Sequence, residues 1–130
     1  MTLVFDTSIL VDIERGNENV IKRIEDLSKI YKAHVQITFI SYYEFLRGLK
    51  IGKPKRYKEL LEFINNFNVI KITKKTADIL SDLRIKYDRL GISLSLADLL
   101  IASQVLENQL ILVTKDKDFE QIKEINKIVL

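Results

Sequence analysis

The sequence has no cysteine, and only one proline, one histidine and four glycines among its 130 residues. The lack of cysteine excludes a disulfide bond, a zinc–thiolate site and a thiol nucleophile. No apolar run approaches the ~20 residues of a membrane-spanning helix. The first apolar run, Leu3–Phe5, ends at once at Asp6, which is unlike a signal peptide. We therefore expect a cytoplasmic protein with no membrane partner.

The composition is typical of a soluble globular domain, with 47% hydrophobic and 30% charged residues. The length supports one hydrophobic core, and no linker, repeat or low-complexity segment divides the chain. We expect residues 1–130 to form a single domain. The single histidine, His34, falls at a predicted helix–strand turn, where we expect a surface position rather than a ligand.

Short apolar strands alternate with helical patterns. The predicted strands are Leu3–Phe5, the alternating set Val35, Ile37 and Phe39, then Val69–Ile72, Leu110–Val113 and Ile128–Leu130. The predicted helices are Ser8–Arg15, Glu18–Tyr31, Ser41–Ile51, Lys55–Phe67, a helix through Leu80, Leu83, Tyr87 and Leu90 that ends at Gly91, Leu96–Leu106 and a short helix from Lys117. Wholly apolar strands between helices predict an α/β fold with a central parallel sheet of four to five strands, covered by helices on both faces.

Carboxylates stand at the boundaries of these elements. They are Asp6 after the first strand, Glu44 and Asp98 in apolar helical segments, and Asp116 after the strand Leu110–Val113, with Asp118 close behind. A carboxylate in apolar surroundings is costly unless it is paired, hydrogen-bonded or bound to a metal. Sites in open α/β sheets form outside the carboxyl ends of the strands. If the acids converge there, they form an oxygen-only site, which suits Mg²⁺ or Mn²⁺ better than zinc.

Each acid also has a purely structural explanation. Asp6 is a candidate N-cap for the helix that follows it. The spacings Ser41-x-x-Glu44 and Ser95-x-x-Asp98 are those of capping boxes. Acids at the start of a helix, as Asp116 and Asp118 would be, complement its dipole. The functional interpretation therefore depends on whether the acids gather at one edge of the sheet.

Two hydroxyl residues and a basic turn accompany the acids. Ser8 and Thr114 are candidates for orienting a carboxylate or holding a metal-bound water, with helix capping as the alternative. Without the five acids the chain has 21 basic residues against 13 acidic ones (18 less 5), which suits a polyanionic substrate or simply reflects a lysine-rich composition. The turn with Lys53, Lys55 and Arg56 is a candidate patch for RNA phosphates, with a solvated surface turn as the alternative.

Three segments of the sequence resemble the PIN domain family, and within it the VapC-type toxins of toxin–antitoxin pairs. The segment LVFDTSILVD resembles the family's first strand and its Asp-Thr-Ser start, and SYYEFLRGL resembles its Glu-x-x-x-Gly helix. The longest segment, LSLADLLIASQVLENQLILVTKDKDF, resembles the family's Asp-x-x-Ile-Ala helix and the strand end that follows. The segments occur in the family's order and span nearly the whole chain. Ser95-Leu96, where a glycine often precedes the third acid, and the tail EQIKEINKIVL depart from the family pattern.

The resemblance implies a PIN-like fold and a metal-dependent endoribonuclease, the toxin of a toxin–antitoxin pair, that hydrolyses RNA phosphodiesters. By motif position it implies Asp6, Glu44, Asp98 and Asp116 as the catalytic, metal-binding cluster, with Thr114 as an accessory residue and Asp118 as the weaker candidate. It further implies a homodimer and a small antitoxin. The antitoxin would lay an apolar segment along a groove near the Ser41–Ile51 helix and place a basic side chain among the acids.

Other functions fit parts of the same pattern. One is an RNA-processing nuclease that works without an antitoxin, and another is a catalytically silent PIN-like binding module. A receiver-like phosphoacceptor also has acids at strand ends and a nearby threonine and lysine, as in Thr114-Lys115. That fold, however, has no use for an acid in the helix of Asp98.

Overall fold

A computed structural model describes residues 2–31 and 34–130 of the chain. Its centre is a five-stranded parallel sheet in the order β3-β2-β1-β4-β5. The strands are β1 Leu3–Phe5, β2 Gln36–Thr38, β3 Asn68–Ile70, β4 Ile111–Thr114 and β5 Asn126–Val129. The helices in the described part are α1 Thr7–Glu14, α2 Glu18–Tyr31, α3 Phe39–Gly52, α4 Tyr57–Asn65, α5 Lys74–Arg89 and α6 Leu96–Glu107, and a 3₁₀ helix, Lys117–Gln121, precedes β5. The predicted α/β fold with a parallel sheet is confirmed.

The sheet is buried on both faces because each strand sends alternate side chains to opposite sides. In β1, Leu3 and Phe5 pack on one face with residues of α1, α3 and α4. Val4 points to the other face and packs with residues of α5 and α6. Strand β4 alternates in the same way between the two clusters. This two-sided burial explains why the central strands β1 and β4 are apolar in sequence except for Thr114 at the end of β4.

Several predicted boundaries were wrong, most of them by one to three residues. Phe39 was predicted to end a strand, but β2 ends at Thr38 and Phe39 is the first residue of α3. The reason is that the side chain of Thr38 accepts a hydrogen bond from the Ser41 N–H and so caps the helix three residues earlier than the sequence suggested. Ile72 lies beyond the end of β3 and is 46% exposed.

The remaining differences concern termini. Helix α4 begins at Tyr57 and ends at Asn65, inside the predicted range Lys55–Phe67. Strand β5 begins two residues before the predicted Ile128–Leu130. The short helix from Lys117 is present as a 3₁₀ helix. None of the helices in residues 2–31 and 34–130 combines the length and the apolar character of a membrane span.

The strand order places a topological switch point between β1 and β4. From β1 the sheet extends through β2 to β3 on one side, and from β4 it extends to β5 on the other. Ligands of open α/β sheets bind outside the carboxyl ends of the strands at such a point. The order also differs from the 2-1-3-4-5 order of receiver-like domains, so the receiver-like alternative is wrong.

Candidate metal centre

Asp6 lies at the carboxyl end of β1 and is 7% exposed. Its Oδ1 accepts a hydrogen bond from the Thr7 N–H at 2.9 Å, so the predicted N-cap of α1 is confirmed. Its Oδ2 accepts a hydrogen bond from the hydroxyl of Thr114 at 2.7 Å. Burial raises the pKa of Asp6, and the nearby carboxylates of Glu44 and Asp116 raise it further. Helix capping therefore accounts for only one carboxylate oxygen of Asp6. The other oxygen, Oδ2, is bound by Thr114 at the end of β4, beside the switch point.

Glu44 is not part of a capping box. Because α3 begins at Phe39, Ser41 is the third helical residue and Glu44 lies in the second turn. Its exposed side chain instead accepts a hydrogen bond from the hydroxyl of Thr7 at 2.9 Å. Thr7 thus contacts two acids, Asp6 through its N–H and Glu44 through its hydroxyl.

Thr7 was missed in the sequence as a site residue. The motif Asp-Thr-Ser placed it directly after Asp6, which was the available signal. Its contact with Glu44 joins residues that are 37 positions apart, and only the folded chain brings them together.

Asp98 is the third residue of α6, and its N–H donates to the hydroxyl of Ser95 at 3.0 Å. The predicted cap at Ser95 is therefore confirmed. The carboxyl group nevertheless has a pKa raised from 3.8 to about 6. Burial contributes most to this increase, followed by the negative charge of Asp116, and Asp6 and Asp118 add smaller contributions. Asp98 is therefore held close to other acids.

Asp116 and Asp118 complete the arrangement. Asp116 is the N-cap of the 3₁₀ helix, and its Oδ1 accepts a hydrogen bond from the Asp118 N–H at 2.9 Å. One carboxylate oxygen from each of Asp98, Asp116 and Asp118 lies within 4.8 Å of the other two. Two oxygens bound to one ion lie at most ~4–5 Å apart, twice the metal–oxygen distance. The spacing of these three acids therefore fits a shared divalent ion, and Asp118, ranked last from the sequence, is among them.

Thr114 and Ser8 organise the backbone around the acids. Thr114 is fully buried, and its hydroxyl donates to Asp6 and accepts from the Asp116 N–H at 3.0 Å. The hydroxyl of Ser8 accepts from the Lys115 N–H at 3.3 Å. Both residues thus hold the segment after β4 against the start of α1.

The other predicted residues lie farther along the surface. Lys53, Lys55 and Arg56 are exposed in the turn between α3 and α4. Arg56 pairs with Glu59 at 2.9 Å and with Glu14 at 3.8 Å. His34 is exposed just before β2, at the amino ends of the strands, whereas the acids lie at the carboxyl ends.

A groove of about 320 Å³ runs between α1, α3 and α4, from Glu44 to Pro54 in this basic turn. Thr7 and Glu44 line one end and Pro54 lines the other. Between them the lining includes the buried Leu49 and Leu60. The groove therefore has an apolar floor and an acidic end at Glu44, and Glu14 and Arg15 on the α1 side also line it.

The fold and the site together define a class: an α/β domain with carboxylates gathered at the switch point of a parallel sheet. The model of the PIN domain family matches residues 3–125. The chain belongs to the PIN domain family, as the three sequence segments predicted. None of the curated proteins compared with the chain matches it significantly.

Solved structures show the same fold. VapBC2 from Rickettsia felis, solved with a DNA fragment from its promoter, is similar with a TM-score of 0.82 and 22% identity over 100% of this chain and 99% of that one. VapBC-1 from Haemophilus influenzae has a TM-score of 0.82 and 20% identity over 99% and 98% of the two chains. DNA-bound VapBC from Salmonella typhimurium has a TM-score of 0.82 and 23% identity over the same shares. The fold is thus the one found in VapBC complexes, in agreement with the predicted resemblance to VapC-type proteins.

Proposed function

We propose that the chain is a Mg²⁺-dependent endoribonuclease, the toxin of a toxin–antitoxin pair, that hydrolyses RNA phosphodiesters. The main support is the group of three carboxylate oxygens within 4.8 Å of one another at the switch point of the sheet. Family membership and the VapBC structures with the same fold support the proposal independently. The catalytic cluster we propose is Asp6, Glu44, Asp98 and Asp116, to which the geometry adds Asp118.

The donor set fits Mg²⁺ or Mn²⁺. Every candidate ligand is a carboxylate oxygen, and the single histidine lies at the amino ends of the strands. The like charges around Asp98 raise its pKa, and a divalent cation would relieve their repulsion. When bound, Mg²⁺ would supply Lewis acidity at the scissile phosphate and activate the attacking water.

The chain's own residues would hold the acids in place for this chemistry. Thr7 and Thr114 each donate to one oxygen of Asp6, which fixes the orientation of that carboxylate. The Thr7 hydroxyl also holds Glu44 at the mouth of the groove. Carboxylates fixed in this way lose little freedom when an ion binds, which favours binding.

RNA cleavage tests the proposal. Purified protein should cleave RNA in Mg²⁺, and EDTA or the substitution Asp98→Ala should abolish cleavage. Asp26→Asn is a matched control, because Asp26 is exposed on α2, away from the cluster. Equal cleavage by wild type, wild type with EDTA and Asp98→Ala would reject the proposal. No cleavage by wild type, together with no thermal stabilisation by Mg²⁺, would favour the silent binding module.

The antitoxin we propose is a small protein that occupies the groove along α3. The apolar floor suits apolar side chains, and the acidic end at Glu44 suits an arginine or lysine that reaches the cluster. This groove favours the toxin over an RNA-processing nuclease without an antitoxin. Gly48→Leu should fill the groove and weaken capture of the protein encoded directly upstream, while cleavage of RNA stays unchanged. Capture by the variant as strong as by wild type would place the antitoxin elsewhere.

For RNA we propose contacts with the turn between α3 and α4. Lys53 and Lys55 are exposed and, within the described residues, have no carboxylate within 4.0 Å. Arg56 was predicted as a third contact, and its pairing with Glu59 and Glu14 would have to open. Lys53→Gln and Lys55→Gln should each weaken RNA binding and reduce its salt dependence by about 0.7 in log–log slope, the value for one lost phosphate contact to a single strand. An unchanged slope would remove the turn from the RNA interface.

We also propose a homodimer. Ile85 on α5, Leu90 directly after α5 and Leu96 at the start of α6 are large apolar residues that are 49%, 59% and 61% exposed. Exposed apolar residues grouped on neighbouring elements are typical of protein interfaces. Leu90→Glu should shift the protein to a monomer in sedimentation velocity, and a wild type that is already monomeric would contradict the proposal.

A further inference from the structure

Lys115 lies in the sequence between two residues of the candidate metal centre, Thr114 and Asp116. Its ammonium group, however, does not pair with the acids of that centre. Its Nζ contacts Oδ2 of Asp12 on α1 at 2.5 Å. The cation is therefore directed along α1, away from the cluster.

Helix α1 holds residue 115 at two points. The hydroxyl of Ser8 accepts from the Lys115 N–H, and the carboxylate of Asp12, one helical turn later, binds the Lys115 ammonium. Residues four apart lie on the same side of a helix. One side of α1 thus binds both the backbone N–H and the side chain of Lys115.

Helix α1 begins directly after Asp6, and Lys115 directly precedes Asp116. The turn that carries Asp116 is therefore attached to the helix that Asp6 caps. This turn carries Asp116 and Asp118 close to Asp98, where the like charges of the three carboxylates repel one another. The side chain of Asp12 is only 15% exposed, so the pair with Lys115 is partly protected from water.

We propose that Asp12 and Lys115 form a positioning pair that, together with Ser8, fixes the turn after β4 on α1 and so sets Asp116 for binding of a divalent cation. The inference rests on the proposed function only in that Asp116 binds the ion. The pair touches neither substrate nor ion, so it acts through Asp116.

The test uses the full chain with Asp12→Asn, Lys115→Met, the double variant and the charge swap Asp12→Lys with Lys115→Asp. The affinity for Mn²⁺ is measured by calorimetry. Each single substitution should raise Kd about fivefold, less than the 10–100-fold typical of groups that bond a metal ligand directly. The double variant should bind Mn²⁺ no more weakly than the single variant with the lower affinity, because both single substitutions break the same contact. The charge swap should recover part of the affinity.

Melting in EDTA separates positioning from general destabilisation. Lys86→Met is the matched control, because it breaks the ion pair of Lys86 and Glu124, 3.1 Å apart, far from the cluster in the fold. Asp12→Asn and Lys115→Met should lower the melting temperature no more than this control, which should leave Kd unchanged. Additive effects in the double variant, or a loss of affinity that follows the loss of stability in all variants, would overturn the positioning pair.

Hydrogen exchange tests the pair without any ion. In EDTA, the amides of Lys115 and Asp116 should exchange up to about fivefold faster in Asp12→Asn and Lys115→Met than in wild type. Unchanged exchange would overturn the pair even if wild type binds Mn²⁺. If wild type binds no Mn²⁺ while exchange accelerates as expected, the proposed function fails and the positioning of the turn stands.

Discussion

Replacing Asp98 by asparagine should stabilise the metal-free protein at neutral pH. The pKa of Asp98 is raised from 3.8 to about 6, mainly by burial and by the charge of Asp116. This difference corresponds to about 3 kcal/mol. Because the side chain is only partly buried, screening by solvent reduces it to about 1–2 kcal/mol. The loss of a negative charge from the first turn of α6 costs about 0.3–1 kcal/mol, which leaves a net gain of about 1 kcal/mol.

The sign of the pH dependence follows from the raised pKa. The folded state binds the proton of Asp98 more tightly than the unfolded state, so this group lowers stability as pH rises from about 4 to above 6. The destabilisation caused by the ionised Asp98 is complete at pH 7.5 and is mostly absent at pH 4. Asp6, whose pKa is also raised, should leave a residual slope of the same sign in Asp98→Asn.

Thermal unfolding in EDTA measures the effect. A gain of about 1 kcal/mol corresponds to an increase of ~3–5 °C in Tm for a domain of this size. Asp98→Asn should show this increase at pH 7.5 and little change at pH 4, and Asp26→Asn should show neither. Added Mg²⁺ should stabilise wild type and not Asp98→Asn. A Tm for Asp98→Asn in EDTA at pH 7.5 below that of wild type would refute the view that the acids repel one another.

Three further substitutions test the contacts that hold the site and the fold. Thr114→Val leaves the buried Oδ2 of Asp6 and the Asp116 N–H without their partner, and should cost about 1–3 kcal/mol in urea unfolding; a loss below 0.5 kcal/mol would contradict these bonds. Gln104→Leu removes the buried bonds from α6 to the Ile70 carbonyl and the Phe39 N–H, and should cost about 2–3 kcal/mol by the same measurement; a neutral change would mean that α6 and α3 are not tied there. Gly91→Ala forces a side chain onto a backbone with φ of 72° and should cost about 1 kcal/mol, although space is open around it; a stabilised variant would contradict this backbone conformation.

The fold followed from local sequence patterns because the central strands β1 and β4 are almost wholly apolar and α1 and α6 carry clear caps. The predicted caps Asp6 and Ser95 are confirmed, since their capping bonds reach only one and three positions along the chain. The start of α3 was wrong because two hydroxyl residues, Thr38 and Ser41, both fit a cap, and the capping bond selects the first.

The candidate site was only partly predictable for a different reason. Every acid was visible in the sequence, but their ranking depends on distances between elements far apart in the chain. Asp118 lies next to Asp98 through the packing of the 3₁₀ helix near α6, and Thr7 reaches Glu44 across 37 positions. The capping box predicted for Glu44 was wrong, and it gave no indication that Glu44 lines one end of the groove. Tertiary contacts of this kind leave no periodic pattern in the sequence.

The carboxylates at the switch point should bind a divalent cation, and anomalous scattering from crystals soaked in Mn²⁺ shows such binding directly. We expect an anomalous peak ~2.0–2.6 Å from carboxylate oxygens of Asp98 and Asp116, and no such peak in crystals of Asp98→Asn. A map from wild-type crystals with no peak at these acids, or with manganese bound only elsewhere on the surface, would show that the carboxylates do not form a metal centre.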